Sequence, residues 1–271
     1  MSDELRTVFH SALSTLHSSL MNYKLTLQYD GTDFHGWQMQ GAERTVQGEL
    51  TRVLSLLEGR AVTVHGAGRT DAGVHAEAQV ASVELAREFA PGKLRAAVNG
   101  NLAPDVRVSA VELVPADFHA RYSARGKTYR YRLFNAPYLS PFLARFAYHD
   151  ARAFDLERMT ECARLFIGEH DWAAFSAAQA DVQTRLRRVT RLDVSERWSD
   201  EGRGRLIEIT ASADGFLRYM VRSIVGTLLE VGRGEREPET ITQAIATGDR
   251  ALVGATAPAK GLMLVEVHYD D

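Results

Sequence analysis

The order in which hydrophobic periodicity changes along this chain restricts its fold more than any other feature. Tyr23, Leu25, Leu27 and Tyr29 alternate as one side of a half-buried strand. Val46, Leu50, Val53, Leu54 and Leu57 then recur at helical spacing, with Gly59 as a stop. Strands are expected at Val62–His65, Gln79–Leu85 and Val106–Leu113, with a short helix between the last two that opens on Pro91 and runs to about Val98. From Lys127 the same order returns. Strand Lys127–Phe134, helix Asp155–Ile167, strands Arg188–Trp198 and Leu206–Ser212, helix Phe216–Val231, a further helix from Pro238 and strand Leu262–Tyr269 follow one another.

Two successive β-α-β-β-α-β units predict an α+β protein, the ferredoxin-like order in duplicate, with mainly antiparallel sheets and a cleft between the halves. A length of 271 residues suits two compact units at about 150 residues each. Met21 directly precedes the first convincing strand, so residues 1–20 are expected to be an extension outside the fold. The expected halves are then 21–117 and 118–271.

Apolar residues make up 45% of the chain and charged residues 25%, enough core formers to exclude disorder. The single cysteine, Cys162, excludes a disulfide framework and a multi-cysteine metal site. Tyr219 to Val231 is the best apolar run, and Arg222 interrupts it well short of a membrane span. Met1-Ser2-Asp3-Glu4 lacks the basic and apolar regions of a signal peptide, so a cytoplasmic protein is expected.

With a net charge of −3, any polyanion must be met by a local patch. Phe118 to His149 holds no Asp or Glu, yet carries Arg121, Arg125, Lys127, Arg130, Arg132 and Arg145, interleaved with Tyr122, Tyr129 and Tyr131. A second basic cluster is Arg185, Arg187, Arg188 and Arg191.

Between two expected strands lies Gly66-Ala67-Gly68-Arg69-Thr70-Asp71-Ala72-Gly73-Val74-His75-Ala76. It is not a phosphate loop, since no Gly-Lys-Ser/Thr follows, nor a dinucleotide fingerprint, since Asp71 replaces the third glycine. His75-Ala76-Glu77 matches the His-x-Glu of zinc deaminases, but their paired cysteines are missing. From the residues alone, this is either a glycine-rich hairpin in which Thr70 and Asp71 bond turn amides, or a loop presenting a reactive carboxylate.

The stretch Gly68 to Ala76 resembles the active-site motif of the tRNA pseudouridine synthase A family. Tyr29-Asp30-Gly31-Thr32-Asp33-Phe34-His35-Gly36-Trp37-Gln38, Asp117-Phe118-His119-Ala120-Arg121, Lys127-Thr128-Tyr129-Arg130-Tyr131, Phe216-Leu217-Arg218-Tyr219-Met220-Val221-Arg222 and Ala257-Pro258-Ala259-Lys260-Gly261-Leu262 resemble its other blocks, in the same order. The resemblance runs from about Tyr23 to Tyr269. It departs at Leu102-Ala103-Pro104-Asp105, which shifts the usual Leu-Pro placement, and at Met263, where an aromatic is common.

The resemblance implies an isomerase that cuts the C1′–N1 bond of uridines 38, 39 and 40 in the anticodon arm of tRNA, turns the base and rejoins it through C5. It implies a homodimer, and neither metal nor organic cofactor. It makes Asp71 the catalytic carboxylate, which can add to C1′, stabilise a cationic sugar or remove the C2′ proton. It also makes Tyr129 the ring that stacks on the target base, and Arg69 the residue that fills the gap left by the flipped nucleotide or grips its phosphate. Read without the family, Tyr129 is equally a core aromatic and Arg69 a hairpin-tip arginine.

Arg222 follows from its setting. It stands among Met220, Val221, Ile224 and Val225, where a charge needs a carboxylate partner unless its stem reaches water. Asp71 is the expected partner, so that the catalytic pair joins the two halves, with Arg218, one turn earlier on the same face, as the competing candidate. A non-catalytic RNA-binding protein and an RNA glycosylase using Asp71 with water are the alternatives from other functional classes. If Arg121, Arg125 and Arg130 meet an RNA backbone, binding should weaken steeply with salt.

Overall fold

The computed structural model describes residues 20–177, 183–200 and 204–270, and the expected extension 1–20 lies outside these apart from Leu20. The strands are β1 (Met21–Tyr29), β2 (Val64–Gly66), β3 (His75–Leu85), β4 (Val106–Val114), β5 (Gly126–Asn135), β6 (Tyr148–His149), β7 (Gly168–Asp171), β8 (Leu186–Asp200), β9 (Gly204–Ala213) and β10 (Leu262–His268). The helices are α1 (Val46–Glu58), α2 (Pro91–Asn101), α3 (Leu156–Ala163), α4 (Met220–Gly232) and α5 (Glu239–Thr247). No helix among the described residues is long and apolar enough to cross a membrane.

The fold is α+β, and its strands form one mostly antiparallel sheet of ten in the order β4-β1-β3-β10-β5-β9-β8-β7, with β2 on β3 and β6 on β5. The expectation of separate sheets is therefore corrected. β10 lies between β3 and β5, parallel to β3 through Met263–His75 and Leu264–Ala76, and antiparallel to β5 from Leu262–Tyr131 to His268–Gly126. Strands from both ends of the chain thereby share one hydrogen-bonded ladder.

Local chemistry explains the elements that match their periodicity. The Thr45 side chain caps α1 by accepting from Gly48 N, and Gly59 ends it at φ 79°, in the left-handed region that glycine enters without strain. Between the caps, Val46, Leu50, Val53 and Leu54 are fully buried, the helical stripe read from the sequence.

The differences are equally local. β3 begins at His75 rather than Gln79, because its first residues are drawn into the ladder by β10. α3 ends at Ala163 in a 3-10 turn, Arg164–Phe166, and Gly168 at φ 117° starts β7 where a helix to Ile167 was expected. α4 starts at Met220, four residues later than its periodicity suggests, because Tyr219 is left-handed at φ 68°.

Two connecting segments set up the site. After β1, residues 30–38 run against the 67–74 loop so closely that a Cβ on Gly31 would lie 2.0 Å from Val74 O, and Trp37 N–H bonds Thr70 O at 3.0 Å. Before β10, residues 257–261 lie between α4 and β3. Ala257 N–H bonds Arg222 O at 3.0 Å, and Pro258 O accepts from the Tyr131 hydroxyl at 3.0 Å.

Candidate active site

The 67–74 loop is held from several sides. Ala67 N–H bonds Val80 O at 2.8 Å, the Gln79 amide donates to Gly68 O at 3.0 Å, and the Thr70 and Tyr29 hydroxyls meet at 2.9 Å. Burial pushes the Tyr29 phenol up to about 12, so it stays neutral. Thr70 therefore bonds a strand tyrosine rather than a turn amide, and Asp71 is left at the loop's turn with its carboxylate available to another element.

That element is α4. Arg222 Nη1 donates to Asp71 Oδ2 at 2.9 Å, and its Nε donates to Ala257 O at 2.8 Å. The guanidinium is thereby fixed at two points, one of them the carboxylate expected from the sequence. Arg218 Nε stands 3.9 Å from Asp71 Oδ1 with its side chain 64% exposed. It precedes the helix rather than lying one turn up it, which corrects the expected geometry. Its Nη2 donates to the Tyr219 hydroxyl at 3.1 Å, and the guanidinium carbons of Arg218 and Arg222 lie 4.8 Å and 5.3 Å from the Tyr219 ring centre. Tyr219 is the sole non-glycine residue with positive φ among the described residues, a conformation costing on the order of 1–2 kcal/mol. Nothing in the hydrophobic pattern announced it.

Tyr129 lies on β5, buried, with Phe216 edge-on at 5.2 Å. Burial, reinforced by Tyr29 and by the Asp71 charge, holds its phenol well above the ordinary tyrosine range, so it is uncharged. The side chain is thus within electrostatic reach of Asp71. Arg69 is exposed and donates from Nε to Gln38 Oε1 at 3.0 Å, away from the Asp71–Arg222 pair. Of the four expected site residues, the structure therefore brings Asp71 and Arg222 into contact and holds Arg69 on Gln38 instead. Among the described residues no group of three or more His, Cys, Asp and Glu is placed to hold a metal ion.

The tRNA pseudouridine synthase family model matches residues 26–123 and 162–270. The chain is 41% identical over 249 residues to tRNA pseudouridine synthase A of Bacillus sp. (strain KSM-64), covering 92% of this chain and 99% of that one. It is 45% identical over 251 residues to the enzyme of the same name from Solidesulfovibrio magneticus, covering 91% and 90%. The chain belongs to the tRNA pseudouridine synthase family. Arg69, Asp71 and Arg222 of this synthase fall inside the matched stretches, while Tyr129 falls between them.

One site residue of the synthase was set aside in the sequence with the zinc motif. His75 follows the Asp71 loop with its side chain 1% exposed. Its Nδ1 accepts Gly31 N–H at 3.0 Å, which leaves the proton on Nε2 to be donated to Lys260 O at 3.2 Å. The ring thus links the loop to both connecting segments. Burial lowers its pKa below the ordinary 6.5, although the nearby Asp30 charge pulls the other way. The folded state therefore binds this proton less readily than the unfolded chain. The stability His75 contributes should be full above pH 6.5 and be lost as pH falls through the folded value. In urea unfolding, the gap between wild type and His75→Gln should narrow from about pH 7 to about pH 5. A gap that widens on acidification would contradict this assignment.

The basic stretch is mostly neutralised by acids from elsewhere in the synthase. Arg130 meets Glu77 at 3.3 Å and Glu208 at 3.7 Å, Arg132 meets Glu208 at 3.0 Å, and Arg125 meets Asp270 at 2.7 Å. Arg145 bridges Asp30 and Asp33, each at 2.7 Å. Of the expected backbone contacts, Arg121 alone has no carboxylate among the described residues, and lies over the Tyr122 ring.

Proposed function

We propose that this protein isomerises uridine to pseudouridine in tRNA, with Asp71 acting at C1′ of the target nucleotide. The observation that carries this reading is the 2.9 Å bond between Asp71 on the loop and Arg222 on α4. Breaking C1′–N1 leaves a detached base that must turn before C5 bonds to C1′. The proton once on C5 then leaves to solvent, and N1 gains one. A carboxylate adjacent to C1′ begins this either by adding to the sugar or by taking the C2′ proton, and Arg222 supplies its counter-charge. An aromatic face holds the free base without fixing its rotation, the part we assign to Tyr129. A base inside a stem cannot be reached in place, and the exposed Arg69 is assigned to the gap left when it flips.

The substrate positions we infer are uridines 38, 39 and 40 of the anticodon arm, and the form a cytoplasmic homodimer, both from the family resemblance. We read the halves 21–117 and 118–271 as ferredoxin-like units, supported by strand orders β4-β1-β3-β2 and β10-β5-β9-β8.

The test is release of tritium from unmodified tRNA labelled at uridine C5, since forming the new bond must expel that label while RNA mass and length otherwise persist. Free uracil would indicate hydrolysis, and intact labelled RNA would indicate binding alone. In the same assay Tyr129→Phe should keep tRNA affinity within about twofold even where turnover falls, whereas Tyr129→Ala should weaken base placement by about tenfold or more. Wild-type turnover by Tyr129→Ala would remove this residue from the site.

A further inference from the structure

β5 separates its cations by face. Thr128, Arg130 and Arg132 lie on one side, where Glu77 and Glu208 neutralise the two arginines. Lys127, Tyr129 and Tyr131 lie on the other, and there the Lys127 ammonium has neither hydrogen bond nor ion pair among the described residues. Its stem packs on the catalytic loop so tightly that a Cβ on Gly68 would lie 3.1 Å from Lys127 Cε and 3.5 Å from Nζ.

Lys127 pairs with Ala213 across β5 and β9, and a Cβ on Gly215, two residues further on, would lie 3.3 Å from Arg187 Nε. Burial chiefly, then the charges of Arg121 and Arg187, lower the Lys127 pKa. Among the described residues neither Arg121 nor Arg187 has a carboxylate partner, and Arg187 spends its Nη1 on the backbone carbonyls of Thr184 and Leu186. An ammonium packed on the Asp71 loop with no carboxylate partner among the described residues is unfavourable in the free protein, and such an arrangement is relieved when a ligand brings the missing charge. A phosphodiester fits, since it carries one negative charge and accepts hydrogen bonds from both ammonium and guanidinium donors.

We propose that Lys127, with Arg121 and Arg187, seats a backbone phosphate of the RNA strand next to the target uridine. The proposal rests on the assignment of tRNA as substrate. Lys127 and Tyr129 are two residues apart on one face of the strand, about 7 Å. One strand thereby offers a ring for the base and an ammonium for the adjoining backbone.

Binding of an unmodified tRNA transcript across a potassium chloride series tests this. Lys127→Met should raise Kd about tenfold near 0.1 M salt and lower the slope of log K against log salt by roughly 0.7 to 1, whereas Lys127→Arg should retain the slope. Because the variant removes an unneutralised charge, Lys127→Met should melt no lower than wild type. In tRNA carrying one neutral methylphosphonate beside the target uridine, wild type should lose affinity while Lys127→Met loses little more. An unchanged Kd and slope in folded Lys127→Met, or a methylphosphonate penalty equal in both proteins, would overturn the seat. Tritium release by wild type on the same transcript separates the two assignments. Release with an unchanged Lys127→Met slope refutes the phosphate seat alone, and absent release refutes the isomerase.

Discussion

Asp71→Asn should abolish tritium release, by on the order of 10⁴-fold or more, while leaving tRNA affinity and the folded state in place. The amide keeps the shape of the side chain, and its oxygen can still accept from Arg222 Nη1, which now bonds Asp71 Oδ2 at 2.9 Å. It loses the negative charge and the nucleophilic oxygen pair, and with them every route by which this residue can act at C1′ or C2′. Arg222 retains its bond to Ala257 O at 2.8 Å, so the helix stays anchored and melting should shift by a few degrees at most. Single-turnover kinetics at saturating enzyme check the chemical step directly. Release near the wild-type rate would remove Asp71 from the reaction.

Arg222→Met should lower kcat by about 10²- to 10³-fold with a smaller change in KM, and Arg222→Lys should recover little of it. Its planar fork works in two directions at once, Nη1 on the Asp71 carboxylate and Nε on the Ala257 carbonyl. Lysine can satisfy one of these, and restores charge without orientation. Arg218 cannot substitute, because its Nε is 3.9 Å from the carboxylate, its side chain is 64% exposed, and its Nη2 is engaged with the Tyr219 hydroxyl. Full activity in Arg222→Lys, measured as initial tritium-release rates over a range of tRNA concentrations, would mean that only the charge matters.

Residues that act on their own neighbours were legible in the sequence. Gly59 ends α1 where it was expected to because a cap is local, and β1 alternates because one side of it is buried. The Asp71–Arg222 contact was also legible, since an arginine among Met220, Val221, Ile224 and Val225 announces a missing anion. What depended on distant partners was not. An absence of acids from Phe118 to His149 suggested a bare basic stretch, but Asp30, Asp33, Glu77, Glu208 and Asp270 arrive from other strands and loops. Lys127 differs from its arginine neighbours only by the face of β5 it occupies and by what the fold leaves out opposite it. The left-handed Tyr219 carries no hydrophobic signal either, because a helix-period pattern continues through it.

The position of β10 has a consequence for the order of events on the ribosome. Translation delivers β10 after every other strand of the sheet, yet β10 is the strand that separates and joins β3 and β5. Until it emerges, β4, β1 and β3 can pair among themselves, as can β5, β9 and β8, but the Asp71 loop and the Tyr129 strand have no shared ladder. A nascent chain can thus expose a basic, base-stacking strand without a working carboxylate beside it, and competence arrives in one late step that closes very long loops. Incomplete chains released by premature termination are therefore expected to be inert toward RNA chemistry, rather than partially active.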